Sequence, residues 1–271
     1  MPTKYTYVNS YAIYYHYAGK TTLPDVVPDF SRGRKILFLH AAGSNGHSWH
    51  NQIDHLGASH SPVAPDLPGH GRSSGTEGLA SIGEYADFVV RLMDALEMKS
   101  AVIAGRSMGG AIAMDLAVRH PGRVEALILM ATAAKFNIAQ ERIEGLRAVT
   151  IGRAPQAFVT DGYSPKTVKD NFAVIREGWM EQIKTDPRVR YTDVKACAET
   201  DLCEAIGRIS APTLIMAGAD DSVTTVDDAE LIKQKIGGAR LDVIADAAHN
   251  LTTERPAEVN AAVAKFLSEL R

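Results

Sequence analysis

The chain has 271 residues, 45% hydrophobic and 23% charged, with a formal net charge of −3. That balance belongs to a globular α/β-sized chain with room for one sizeable core and an insertion, and it excludes a disordered or fibrous one. No basic stripe interleaved with aromatics is present, so neither nucleic acid nor an anionic membrane is expected as a partner.

Met1-Pro2-Thr3-Lys4-Tyr5 lacks the apolar run of a signal peptide, and no stretch is apolar for long enough to span a bilayer. Cys197 and Cys203 read as free thiols of a reducing compartment, at a spacing that fits no common zinc pattern. A cytoplasmic location is therefore expected. Tyr5–Val8 and Ala12–Tyr17 alternate and are rich in aromatics, which predicts a hairpin at a sheet edge. After a loop over 21–34, Lys35–Leu39 is a buried-type strand that ends at His40-Ala41-Ala42-Gly43. A short helix is expected over Trp49–Leu56, a short strand over Pro62–Ala64, and a turn-dense loop over Asp66–Gly75. Ile82, Tyr85, Phe88, Val89, Leu92, Met93 and Leu96 share one face of a helix over Ile82–Glu97.

Ala101-Val102-Ile103-Ala104 is the next strand, and it runs into Gly105-Arg106-Ser107-Met108-Gly109-Gly110. A helix follows from Met108 to near His120. Gly-x-Ser-x-Gly between strand and helix forces a tight bend that lifts the serine hydroxyl clear of the sheet. A Cβ at either glycine would collide with backbone. The helix N-terminus behind Ser107 favours negative charge. The rival reading is a dinucleotide turn, with Gly105, Gly110 and Glu125 at suitable positions. Ser107 stands where that fingerprint needs the glycine that lets a pyrophosphate approach.

Val124–Met130 is a further strand. From 135 to 208 strand-like runs vanish, and a charged, helical pattern broken by Pro155, Pro165 and Pro187 reads as an inserted helical cap. The sheet resumes at Pro212–Gly218, followed by a helix over Val226–Ile236, a last strand Arg240–Ile244, and a final helix from Pro256. Strands alternating with helices imply an α/β fold with a mostly parallel central sheet flanked by helices. Its core would be 1–134 with 209–271, and its cap 135–208.

A serine hydroxyl needs a base, usually a histidine oriented by a carboxylate. Ligands of open parallel sheets bind at the carboxyl ends of the strands, so candidates should stand just after strands, as Ser107 does. His249 follows the last strand, and Asp220 and Asp221 follow the strand ending at Gly218. His40 is the serious rival, although its place before Ala41-Ala42-Gly43 suits a loop brace. His47, His50, His55 and His60 are expected on or beside an exposed polar helix. An oxyanion needs preorganised donors. The N–H of Met108, next to the nucleophile, and that of Ala42, in the loop after the third strand, are the candidates.

Assembled, Phe38–Gly43, Pro65–Ser73, Gly105–Gly110, Gly218–Asp221 and Ala248-His249 resemble the α/β-hydrolase superfamily, in its capped esterase/lipase-like branch. The likeness covers nearly the whole chain and keeps the order serine, acid, histidine. It implies that the acid is the third residue after Gly218, Asp221, with Asp220 capping the turn through its side chain. It also implies a serine hydrolase of carboxylic esters working through an acyl-enzyme on Ser107. No metal or organic cofactor follows from it, and the partner is a small-molecule ester. A carbon–carbon bond hydrolase or lactonase with the same triad, or a non-catalytic small-molecule receptor, are the alternatives. Three departures stand out: Ala41 and Ala248 where glycine is common, and Arg106 where histidine is common. Arg106 is expected to pair with a carboxylate in neighbouring structure or solvent; facing the pocket, it would favour an acidic substrate. Phe136, Phe158, Tyr163, Phe172, Trp179 and Tyr191 are the candidate cap aromatics, most of them expected to pack the cap rather than line a pocket.

Overall fold

The computed structural model describes residues 1–270. One sheet runs through it, built from β1 (Thr3–Val8), β2 (Tyr11–Tyr17), β3 (Lys35–Leu39), β4 (Ser61–Pro65), β5 (Ala101–Arg106), β6 (Val124–Met130), β7 (Thr213–Gly218) and β8 (Arg240–Ile244). The spatial order is β1-β2-β4-β3-β5-β6-β7-β8. β1 and β2 form the predicted edge hairpin, in register from Thr3 opposite His16 to Val8 opposite Tyr11. β2 meets β4 antiparallel, and every pairing beyond is parallel.

The apolar runs explain the layering. Every residue of β5 and β7 is buried, as expected of parallel strands covered on both faces. β8, at the far edge, has no buried residue. One face is covered by α2 (Ile82–Ala95), α3 (Met108–Arg119) and α8 (Val226–Lys235). The other is covered by α1 (His50–Leu56) and α10 (Pro256–Glu269). Ser81 caps α2 by accepting from the Glu84 N–H, and the predicted face of that helix is buried. The helix ends two residues before the predicted Glu97, because Glu97 turns left-handed at φ 55°.

Between β6 and β7 the chain forms α4 (Gln140–Thr150), α5 (Pro165–Asp170), α6 (Phe172–Gln182) and α7 (Pro187–Ala198), and adds no strand to the sheet. A single bridge, Lys135 to Asp201, closes its base. Pro165 and Pro187 do not break helices here. Each occupies a first turn, where the missing N–H costs nothing. α4 buries no residue and α6 buries only Ile175. α7 buries Val189, Asp193, Val194, Ala196 and Cys197 and, with the buried start of α5 at Ser164 and Thr167, attaches the insertion.

From β3 the chain crosses to β4 on one side, while β5 lies on the other. The loops after β3 and β5 therefore diverge and open a crevice at the strand ends. No helix among the described residues is long and apolar enough to cross a membrane.

Candidate active site

Ser107 sits at the crevice with φ 54° and ψ −119°, between β5 and α3. A non-glycine residue held there costs about 1–3 kcal/mol, so its surroundings must over-determine it. They do. Its N–H donates to Met130 O at 3.0 Å, and its carbonyl accepts from Thr132 Oγ1 at 2.7 Å and Gly110 N at 2.8 Å. The glycines let the elements close in. A Cβ on Gly105 would lie 2.1 Å from Gly109 O, and one on Gly109 would lie 2.1 Å from Leu39 O. The serine turn thus packs directly on the end of β3.

Ser107 Oγ lies 3.0 Å from His249 Nε2, and His249 Nδ1 lies 3.0 Å from Asp221 Oδ2. The carboxylate is buried and saturated. Oδ1 accepts from Val223 N at 2.8 Å and Thr224 N at 3.1 Å, and Oδ2 also accepts from Thr224 Oγ1 at 2.9 Å. Burial alone would raise the Asp221 pKa; the His249 hydrogen bond and charge, with the Thr224 and Val223 N–H groups, outweigh it and hold it below the usual value. An ionised Asp221 fixes the proton on His249 Nδ1 and leaves the Nε2 lone pair facing the serine hydroxyl.

Asp220 is exposed and gives the site only its backbone N–H, 2.9 Å from Ala247 O. The side-chain cap expected of it is made by Asp221 instead. Sequence reasoning missed Thr224, whose hydroxyl lies 3.2 Å from His249 Nδ1; the spacing Asp221-Ser222-Val223-Thr224 is a side-chain-capped turn that signals it. It also missed Glu254. That buried carboxylate accepts from Ala248 N at 2.9 Å and Ser164 N at 2.8 Å, and so fixes the His249 loop against the insertion.

Two further buried histidines flank the site, one neutral and one carrying both protons. His40 Nε2 accepts from Leu67 N at 3.0 Å, so Nδ1 carries the proton and donates to Ala41 O at 2.9 Å. Burial, with the positive charge of His70, holds its pKa well below the usual value. It is the neutral loop brace that its position suggests. His70 faces acceptors with both nitrogens, Pro68 O at 3.0 Å and Asp193 Oδ2 at 2.7 Å, so both carry protons. Burial opposes that charge, and the Asp193 charge and hydrogen bond overcome it and raise the pKa.

Asp193 joins the insertion to the sheet-bearing half. It has no exposed surface, and it accepts also from Tyr85 OH at 2.6 Å and Gly43 N at 2.9 Å. Gly43 adjoins Ala42, whose N–H, like that of Met108, has no acceptor among the described residues. The signal for Asp193 is an acid on the apolar stripe Val189, Asp193, Cys197 of a helix. Asp66 organises the same region by accepting from Gly46 N at 2.7 Å and Arg72 N at 2.8 Å, and burial pushes its pKa up to about 6.

A cavity of about 690 Å³ opens over Ser107 and His249, roofed by the insertion. That is the size of a small-molecule site. Of the candidate aromatics, Phe136, Tyr163 and Trp179 line it. Phe158 and Phe172 are 45% and 52% exposed and pack on each other outside it. His47 and His50 are not surface residues of a polar helix, as expected, but half-buried in the cavity wall. With Glu177 they bring ligand atoms within 4.8 Å of one another, the one group among the described residues that could hold a divalent cation. Arg106 also departs from expectation. It is buried on the cavity wall, bonds Asn250 Oδ1 at 2.6 Å, and forms no ion pair with a carboxylate among the described residues.

Comparison with known proteins gives a consistent result. A model of the alpha/beta hydrolase family matches residues 36–262. The chain is 28% identical to 3-oxoadipate enol-lactonase 2 of Acinetobacter baylyi, over 92% of this chain and 96% of that one. It is 29% identical to a pimeloyl-[acyl-carrier protein] methyl ester esterase of Neisseria meningitidis, over 85% of this chain and 89% of the other. Among solved structures, the enol-lactonase of Burkholderia xenovorans LB400 superposes with a TM-score of 0.84 at 25% identity, covering 98% of this chain and 100% of that one. With the strand order, the strained serine and the spacing of acid and histidine all in agreement, the chain belongs to the alpha/beta hydrolase family.

Proposed function

We propose that this hydrolase cleaves carboxylic esters through an acyl-enzyme on Ser107. The observation that carries the reading is the line Ser107 Oγ, His249 Nε2, Asp221 Oδ2, with 3.0 Å at each step. Ser107 Oγ attacks the ester carbonyl while His249 Nε2 takes its proton. Asp221 orients the ring and stabilises the imidazolium. The N–H groups of Ala42 and Met108 receive the oxyanion, assisted by the N-terminus of α3. The tetrahedral intermediate expels the alcohol, which takes the proton from His249. A water then gives its proton to His249 and attacks the acyl carbon, releasing the acid and restoring Ser107. His40 and His70 take no part in this sequence, because neither offers a free basic nitrogen.

The segment 135–208 serves as the cap and sets which ester enters, since its helices supply much of the cavity wall. The cytoplasm is the compartment that suits Cys197 and Cys203, which stand unpaired. A panel of p-nitrophenyl esters of increasing acyl length, run with fluorophosphonate labelling of Ser107, tests the reading. Multiple turnovers and a single label on Ser107 are expected. Turnover of a vinylogous diketone with none of any ester would replace it with carbon–carbon bond hydrolysis. Binding without turnover would replace it with a receptor.

A further inference from the structure

Arg106 is a cation with too few partners. It is 6% exposed, and it lies on the cavity wall beside the nucleophile. Only Nη1 is hydrogen-bonded, to Asn250 Oδ1. Nε is buried and unpartnered, and Nη2 donates to nothing among the described residues. Asp221 and Glu254 reach it only through their charge, and both are engaged elsewhere: Asp221 with His249 and Thr224, Glu254 with Ala248 and Ser164. A charge taken out of water is strongly disfavoured until something pairs with it.

Other guanidiniums face the same space. Arg190 of α7 lies with its stem over Gly43, where a Cβ would meet Arg190 Cγ at 2.8 Å. Its head makes no hydrogen bond or ion pair among the described residues. Its charged neighbours are Arg142 of α4 and Asp161, a single carboxylate that stands 4.0 Å from Arg142 and also faces Arg190 through its charge. The remaining cavity acids have company. Glu181 holds Lys184 and Asn45, and Glu177 stands with His47 and His50.

We propose that the cavity takes an ester that carries a second, ionised carboxylate, and that Arg106 receives that carboxylate while Arg190 and Arg142 attract it. This rests on the ester-hydrolase reading and deepens it. Nη2 is the donor left for the second carboxylate, and a carboxylate that reaches Nη2 stands where the adjoining buried Nε can supply the second of two parallel hydrogen bonds. Because Arg106 precedes the nucleophile in the chain, a carboxylate held there also fixes the reacting carbonyl relative to Ser107.

The test compares charged esters with neutral ones of the same shape. One series is the monomethyl esters of straight-chain dicarboxylic acids, with the charge on the acyl side. The other is O-acetyl hydroxy acids, with the charge on the alcohol side. Each is run against its carboxamide. In at least one series the charged ester is expected to exceed its carboxamide in kcat/KM by about 10- to 100-fold, the range of charge-assisted hydrogen bonds. Arg106→Met should bring that ratio close to one, chiefly through KM, and Arg190→Met should lower it part of the way. A wild-type ratio near or below one in both series overturns the proposal. So does an Arg106→Met variant that loses charged and neutral turnover equally, which would make Arg106 a counter-charge for Asp221 and Glu254. If Arg106→Met does not fold, the wild-type ratio and Arg190→Met still decide. Neutral esters turned over without preference remove the anion site alone. No turnover of any ester and no labelling of Ser107 remove the ester reading with it.

Discussion

The sheet-bearing half and the helical insertion are held together by different physics. In the first, β5 and β7 are buried along their whole length, and the site residues stand on turns whose backbone has little freedom left. In the insertion, α4 buries nothing, α6 buries one residue, and Phe158, Phe172, Met180 and Ile183 stand open to solvent. Ser107, His249 and Asp221 therefore sit where packing is complete, and much of the cavity roof sits where it is not. The difference teaches that the triad geometry and most of the cavity roof rest on separately packed parts of this chain, joined through α7 and through the turn at Gly162 to Ser164.

The sharpest way to break that comparison is at Ser107. Ser107→Ala should lower kcat on any accepted ester by about a million-fold, the loss seen when a triad serine is removed, with the unfolding midpoint little changed. Retention of a few per cent of turnover in clean protein would show that the chemistry lies elsewhere. Next come the two aspartates. Asp221→Asn should lower kcat by about ten-thousand-fold, because the ring loses its charge partner and its tautomer. Asp220→Asn, at an exposed side chain, should change stability by no more than about 0.5 kcal/mol and leave kcat near wild type. The reverse pattern would move the acid by one residue.

The junction gives a smaller, thermodynamic effect. Asp193→Asn leaves a buried imidazolium unpaired and should cost about 3–5 kcal/mol in urea unfolding. It should also alter pH dependence. The His70 pKa is raised in the folded chain, so the pair's stabilisation is complete below the free-histidine value of about 6.5 and fades as pH rises through the folded value. That loss on the alkaline side should be absent from the variant. The smallest effect belongs to the insertion's outer surface. Phe158→Ala, at a half-exposed ring, should shift stability by less than about 1 kcal/mol and leave kcat on a short ester intact. A large loss there would show that the two halves are less separable than their packing suggests.

Legibility in the sequence follows the same division. Continuous apolar runs mark strands buried on both faces and placed the central parallel strands, while the edge hairpin showed as alternating aromatics. Gly105, Ser107 and Gly109 were legible because the turn leaves almost no other residues that fit. Asp221, as against Asp220, needed family spacing. Glu254 and Asp193 were missed because each acts through partners distant in the chain, 90 residues away for Glu254 and Ser164 and 150 for Asp193 and Gly43, whereas Thr224 was missed although its turn partner Asp221 is local. Arg106 was misjudged for a related reason. Its sequence neighbours say nothing about which carboxylates the fold leaves within reach. Cavity lining by His47 and His50 was hidden likewise, since a short polar helix reads the same whether it faces water or a pocket.

The three hydrogen bonds of Asp193 carry a consequence for anyone who would exchange insertions between relatives. One carboxylate of the insertion grips His70 and Tyr85 of the sheet-bearing half and, through the Gly43 N–H, the loop that presents Ala42. A transplanted insertion without an acid at the matching position of its last helix would leave a buried cation and a slack loop beside the nucleophile. Such a chimera would lose rate on every substrate before its new preference could be read. Grafts that carry α7 and the turn Gly162-Tyr163-Ser164 over unchanged, so that Glu254 and Asn250 keep their partners beside His249, are the ones in which specificity can be redrawn while the chemistry stays in place.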